Sequence, residues 1–231
     1  MKSPIIVALD IESERALELA KKLNPQECKV KVGSQLFTAD GPIIIQKLNE
    51  LGFDIFLDLK FHDIPNTVKK AVEEVIKMGV WMLNVHSLGG KEMLRAAYEV
   101  VEKASIKPLL VGVTVLTSLN DKALKEVGLG LNTGDQVLLL AELCQAERLN
   151  GVVCSANELS VLRKHLEEDF LLVTPGIRSS GQESDDQKRI STASEAISNG
   201  ADYIVIGREI SNEIDPSKKI RQILETVSRL E

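Results

Sequence analysis

Short apolar runs rich in valine and isoleucine recur along the chain: PIIVAL (4–9), CKVKVG (28–33), FDIFLDL (53–59), VWMLNVH (80–86), PLLVGVTVL (108–116), GVVCS (151–155), FLLVTP (170–175) and DYIVIG (202–207). Between most of them lie stretches that place apolar residues three and four apart, among them ESERALELAKKLN (12–24), GPIIIQKLNELG (41–52), NTVKKAVEEVIKMG (66–79) and GKEMLRAAYEVVEKA (90–104). The first pattern predicts buried strands and the second amphipathic helices. Strands that are apolar on both faces, alternating with helices, imply a parallel sheet covered by helices. Eight such units favour a closed (β/α)8 TIM barrel over an open doubly wound sheet. Glycines after Asn49, Lys77 and Asn199 fall where helices should end.

Two segments break the rhythm: SLNDKALKEVGLGLNTGD (118–135) after the fifth strand and RSSGQESDDQ (178–187) after the seventh. Both read as irregular, and the second is either a solvated connection or a loop able to close over a ligand. At 231 residues and 44% hydrophobic content, composition alone allows one large domain or two small ones. The uninterrupted alternation favours a single barrel domain over residues 1–231.

Charge narrows the range of partners. A net charge of -6 with interspersed signs argues against general nucleic-acid binding, so any bound anion should occupy a local pocket. The opening MKSPIIVALD is too short for a signal peptide or a membrane span, and no membrane partner is expected. Cys28, Cys144 and Cys154 lie in apolar runs without CxxC spacing, as buried thiols of a reducing compartment would. The expected setting is cytoplasmic.

Candidate chemistry sits at the strand ends. Side chains alternate along a strand, so Asp58 and Lys60 of the third run share a face, which in a barrel points to the catalytic mouth. A lone pair of this kind is equally a structural salt bridge. Asp10 closes the first run, Lys31 lies near the end of the second, and Asp63 follows the third. Burying so many charges for stability alone is costly, and a functional cluster is the better reading. TPGIRSSG after the seventh strand and IGREI after the eighth occupy positions where barrels bind phosphate, with Arg178 and Arg208 as forked donors and Gln187 within reach of the same anion. His62 reads as a hydrogen-bonded structural residue, His86 as a supporting neighbour of the site and His165 as a helix-surface residue. Asn84 stays open between packing and function, and Trp81 is assigned to packing.

DLKFHDIPNTV, together with VALD, KVGSQLF, VTVLTSL, TPGIR and VIGREI in that order across nearly the whole chain, resembles the orotidine 5'-monophosphate decarboxylase family of the bacterial pyrimidine-biosynthesis type. The resemblance implies metal-free, cofactor-free loss of CO2 from orotidylate to give uridylate, with Lys60 as proton donor in an array of Lys31, Asp58, Lys60 and Asp63. It implies a homodimer in which Asp63 and Thr67 enter the partner's site. Asp10 and Lys31 would hold ribose hydroxyls, Thr117 and Ser118 would lie near the pyrimidine, and Arg178, Gln187, Gly207 and Arg208 would grip the 5'-phosphate. Competing readings are a Mg2+-dependent sugar-phosphate enzyme sharing the DxK core and a non-catalytic phosphate-binding barrel.

Overall fold

Each apolar run becomes a parallel strand: β1 (Ile5–Ala8), β2 (Lys29–Gly33), β3 (Ile55–Phe61), β4 (Met82–His86), β5 (Leu109–Val113), β6 (Gly151–Val153), β7 (Leu171–Thr174) and β8 (Tyr203–Ile206). They pair in chain order, and β8 returns to β1 through Ile5 opposite Ile204, closing the expected (β/α)8 barrel. The computed structural model describes residues 3–178 and 191–228. Gln187 and most of the polar segment after β7 therefore lie outside the described residues.

The helices over the described residues are α1 (Ser13–Lys22), α2 (Ser34–Asp40), α3 (Pro42–Glu50), α4 (Pro65–Lys77), α5 (Gly90–Lys103), α6 (Asp121–Glu126), α7 (Thr133–Ala146), α8 (Leu159–His165), α9 (Ala193–Ser198), α10 (Arg208–Ser211) and α11 (Pro216–Ser228). The periodic stretches supply α1, α3, α4 and α5. Pro65 opens α4, where its missing N–H costs nothing. Gly52, Gly79 and Gly200 follow helix ends with positive φ, which a residue bearing Cβ adopts only under strain.

The segment after β5 departs from expectation. SLNDKALKEVGLGLNTGD contains α6 and the start of α7, each capped by an asparagine whose side chain accepts a backbone N–H: Asn120 from Ala123 and Asn132 from Asp135. Asp121 ties the two together by accepting from Thr133 N at 2.8 Å. α2 likewise has no counterpart among the predicted helices.

Alternation sorts each strand's side chains between two apolar layers. Val7, Val30, Leu57, Leu83 and Leu110 face outward against the helices. Ile6, Phe56, Met82, Val111, Val173 and Val205 fill the barrel interior. A fully buried ring such as Phe56 contributes roughly 2 kcal/mol through area removed from water. At the N-terminal end, buried Lys29 donates to Ser3 O at 2.9 Å and sits 5.0 Å from the Trp81 ring centroid and 5.2 Å from that of Tyr203. This closes the bottom of the barrel, so the interior opens toward the C-terminal strand ends.

All three cysteines are buried and unbridged. Burial pushes the Cys28 and Cys144 thiols up to about 12 and raises that of Cys154 as well. No helix among the described residues is long and apolar enough to cross a membrane.

Candidate active site

The charges read from the strand ends converge. Lys31, buried on β2, donates to both oxygens of Asp10 at 2.9 and 3.1 Å and stands 3.1 Å from Asp58 Oδ2. Lys60 on β3 meets Asp58 Oδ1 at 2.6 Å. The order Asp10, Lys31, Asp58, Lys60 thus alternates in sign across three neighbouring strands.

Burial opposes each charge, and the opposite charges overcome it. Desolvation alone would raise the Asp58 carboxyl, yet Lys31 and Lys60, with hydrogen bonds from Lys60 and Asn84, hold it at about 2. Desolvation would lower the Lys31 ammonium, but Asp58 and Asp10 outweigh it and raise its pKa. Asp58 is therefore a carboxylate and Lys31 an ammonium at neutral pH.

The geometry of β3 is less regular than the alternation rule suggests. Asp58 and Lys60 do face the same cavity, but pairing with β4 slips between Leu57 and Phe61. Leu57 lies opposite Leu83 and Phe61 opposite Val85, so four steps on β3 span two on β4. Lys60 adopts φ of 52°, and its N–H is taken by the Asn84 side chain at 2.8 Å. Asn84 also donates to Asp58 Oδ1 at 2.6 Å. Sequence reading left this residue undecided; its position at the middle of a strand beside the DLK segment was the available signal.

A cavity of about 460 Å³ opens above the array, a size suited to a small-molecule ligand. Asp10, Lys31, Asp58, Lys60, Thr117, Arg178, Gly207 and Arg208 line it. Phe56, Val153 and Val205 provide apolar wall, together with Pro175, Gly176 and Ile177. Ser211 joins them, one helical turn past Arg208, a place that nothing in its sequence surroundings marked. Arg178 is fixed through its backbone, where its N–H donates to Ser191 O at 2.9 Å. Its Nε is buried with no acceptor among the described residues, a donor in need of an oxygen.

Three expected residues lie off this cavity. Asp63 is exposed, and its carboxylate accepts the N–H of Ile64 at 2.7 Å. Thr67, in the first turn of α4, is exposed, as is Ser118, one residue past Thr117. His62 is exposed and stacks on His86, with ring centroids 5.2 Å apart. Burial, then the neighbouring His62 and Lys60, bring the His86 imidazole down to about 4. His165 sits exposed at the end of α8. Among the described residues, no group of three or more histidine, cysteine or acidic side chains is arranged to hold a metal ion.

Fold and site together define a (β/α)8-barrel protein in which an alternating acid–lysine array and two arginines line one cavity at the C-terminal strand ends. Residues 3–223 match the family described as orotidine 5'-phosphate decarboxylase / HUMPS. The chain belongs to that family. A Dichelobacter nodosus protein named orotidine 5'-phosphate decarboxylase is 51% identical over 226 residues, covering 97% of this chain and 99% of its own. One of the same name from Saccharophagus degradans is 47% identical over 226 residues, covering 97% and 95%. The crystal structure of orotidine 5'-phosphate decarboxylase from Lactobacillus acidophilus superposes with a TM-score of 0.87 at 36% identity, covering 97% of this chain and 99% of that one.

Proposed function

We propose that this protein, acting as one catalytic domain in the cytoplasm, decarboxylates orotidine 5'-monophosphate to uridine 5'-monophosphate and CO2 in de novo pyrimidine biosynthesis. The observation that carries this reading is the Asp10–Lys31–Asp58–Lys60 array sharing one cavity with Arg178 and Arg208. Phosphate would bind at the arginine end, where the buried Arg178 Nε lacks an acceptor among the described residues and Gly207 adds no side chain. Asp10 and Lys31 would receive the ribose hydroxyls. The pyrimidine would lie near Thr117, with C6 beside Lys60. Ser118 and Gln187 are left to complete the pyrimidine and phosphate ends.

The chemistry asks for this array. Breaking the C6–carboxylate bond leaves its electron pair on C6 in the ring plane, where the carbonyl π-system cannot delocalise it. The Lys60 ammonium stabilises that charge as it develops, then gives it a proton and regains one from solvent. No organic or metal cofactor takes part in these steps. Asp58 would face the substrate carboxylate, and two such charges ~3.5 Å apart repel by roughly 5 kcal/mol at an effective dielectric near 20. Enzymatic accelerations require about 8–23 kcal/mol, so stabilisation by Lys60 takes the larger share. Phosphate binding supplies the remote energy that holds substrate against the repulsion.

The site is completed across a homodimer, Asp63 and Thr67 entering the partner's cavity. Supporting this, both are exposed and off their own cavity, and Ile64, Leu88 and Leu116 stay exposed just past the ends of three adjacent strands, β3 to β5. Apolar side chains grouped there suit burial against a second copy.

Orotidylate turnover in metal-free buffer tests the function. Loss of orotidylate absorbance with stoichiometric uridylate, unchanged by EDTA, is the expected result. Activity that disappears with EDTA and returns with Mg2+ would favour the sugar-phosphate alternative, and uridylate binding without turnover the sensor.

Gly33 offers a second check. A Cβ there would lie 2.6 Å from Asp10 Oδ1 and 3.0 Å from Lys31 Nζ. Its backbone is extended, so alanine fits the chain itself and displaces only flexible side-chain ends. Gly33→Ala is expected to weaken uridylate binding by about tenfold while unfolding free energy moves by less than about 1 kcal/mol. Titration calorimetry beside a thermal melt reads both. Unchanged affinity would remove Asp10 and Lys31 from the ribose site.

A further inference from the structure

We infer that Asn84 is a positioning residue for the decarboxylation: its side-chain amide holds the β3 irregularity that aims the Lys60 ammonium and fixes the Asp58 carboxylate beside it. The inference rests on the function proposed above. Asn84 is fully buried on β4, and its two amide atoms do different work. The oxygen accepts the Lys60 N–H at 2.8 Å, and the nitrogen donates to Asp58 Oδ1 at 2.6 Å. The residue thus clasps both ends of the Asp58–Leu59–Lys60 step.

That clasp meets a specific need. The register slip between Leu57 and Phe61 takes β3 out of regular pairing with β4, and Lys60 is held at φ 52°, which is unfavourable for a residue with Cβ. Without the Asn84 oxygen the Lys60 N–H would lose its acceptor, and the chain would relax toward ordinary extended geometry. The ammonium at the end of that side chain would move with it. On the other side, Asp58 Oδ1 receives both Lys60 Nζ at 2.6 Å and the Asn84 nitrogen, while Oδ2 faces Lys31 at 3.1 Å. Three donors from three strands leave the carboxylate one orientation. An amide suits the place because it is donor and acceptor at once and adds no charge.

Two substitutions in the full chain test this, with wild-type turnover measured in parallel. Loss of the wild-type reaction would count against the proposed function, whereas the following outcomes concern Asn84. Asn84→Ala removes both contacts, and kcat is expected to fall by ~100-fold while uridylate affinity stays within about fivefold. Asn84→Asp is nearly isosteric and keeps an acceptor for the Lys60 N–H, but ionised it sets a second carboxylate against Asp58. Lowering the pH from about 8 to about 5 lets the pair share a proton that restores the donor, so its kcat relative to wild type should recover by about tenfold. The charged groups facing that pair are Lys31 from β2, Lys60 from β3 and Asp10 behind Lys31, with the His62–His86 stack nearby. Wild type carries all of them, so the ratio at each pH isolates the introduced carboxylate. The inference is overturned if Asn84→Ala keeps kcat within about threefold of wild type, or if turnover and uridylate binding fall together. Should the alanine variant show no folding transition, Asn84→Asp decides alone: a ratio flat with pH overturns the inference.

Discussion

Lys60→Ala is expected to lower orotidylate turnover by at least ~10³-fold while uridylate binding survives. The surroundings of Lys60 argue for both halves of that result. Removing the ammonium takes away a contact to Asp58 Oδ1 at 2.6 Å, but Asp58 keeps Lys31 at 3.1 Å and the Asn84 nitrogen at 2.6 Å. The carboxylate is therefore not left buried and unpaired, the condition that makes breaking an ion pair so destabilising. Arg178 and Arg208, which line the same cavity, are untouched. On the proposed mechanism, what is lost is charge that matters only once negative charge appears at C6, and removing such an interaction lowers kcat with little effect on ground-state binding. Single-turnover kinetics and uridylate titration separate the two. Turnover near the wild-type rate would remove Lys60 from the role of proton donor.

The parts of this site that could be read from sequence are those set by local periodicity. Apolar runs such as PIIVAL and DYIVIG become strands because their residues face apolar layers on both sides, and alternation alone put Asp58 and Lys60 on one face. Helices with long apolar stripes, α4 and α5 among them, were equally legible. The short helices were not. In α6 only six residues repeat, too few to show a period, although the Asn120 cap stood in plain view three residues before the Ala123 N–H it accepts. α2 is seven residues framed by Gly33 and Gly41, and its sequence reads as part of the preceding strand's exit. The slip on β3 was beyond sequence altogether. Register is a relation between two strands, and nothing in DLKF states which residues of MLNVH it opposes. The role of Asn84 was hidden for the same reason: it exists only because the slip frees the Lys60 N–H. Ser211 reaches the cavity because α10 follows β8 directly and sets it one turn past Arg208, a placement that depends on where β8 ends in the barrel.

The second large effect concerns Asp63. Two inactive variants, Lys60→Ala and Asp63→Asn, are expected to regain activity when their subunits are exchanged. In a two-fold dimer with shared sites, each cavity takes Lys60 from one chain and Asp63 from the other. A hybrid then holds one cavity with both native residues and one with neither. Equal random mixing makes about half of the dimers hybrid, so roughly one quarter of wild-type activity should return. The placement of Asp63 makes the outcome informative. It follows β3 directly, yet it lies off its own cavity, exposed, with its carboxylate accepting the Ile64 N–H at 2.7 Å. If Asp63 acted on its own Lys60, each subunit would carry one defective site whatever its partner, and mixing would return nothing. Subunit exchange must be followed independently, for example by mass-tagged heterodimer formation. Verified exchange without recovered turnover would falsify the shared site and return Asp63 to a local role at the entrance of α4.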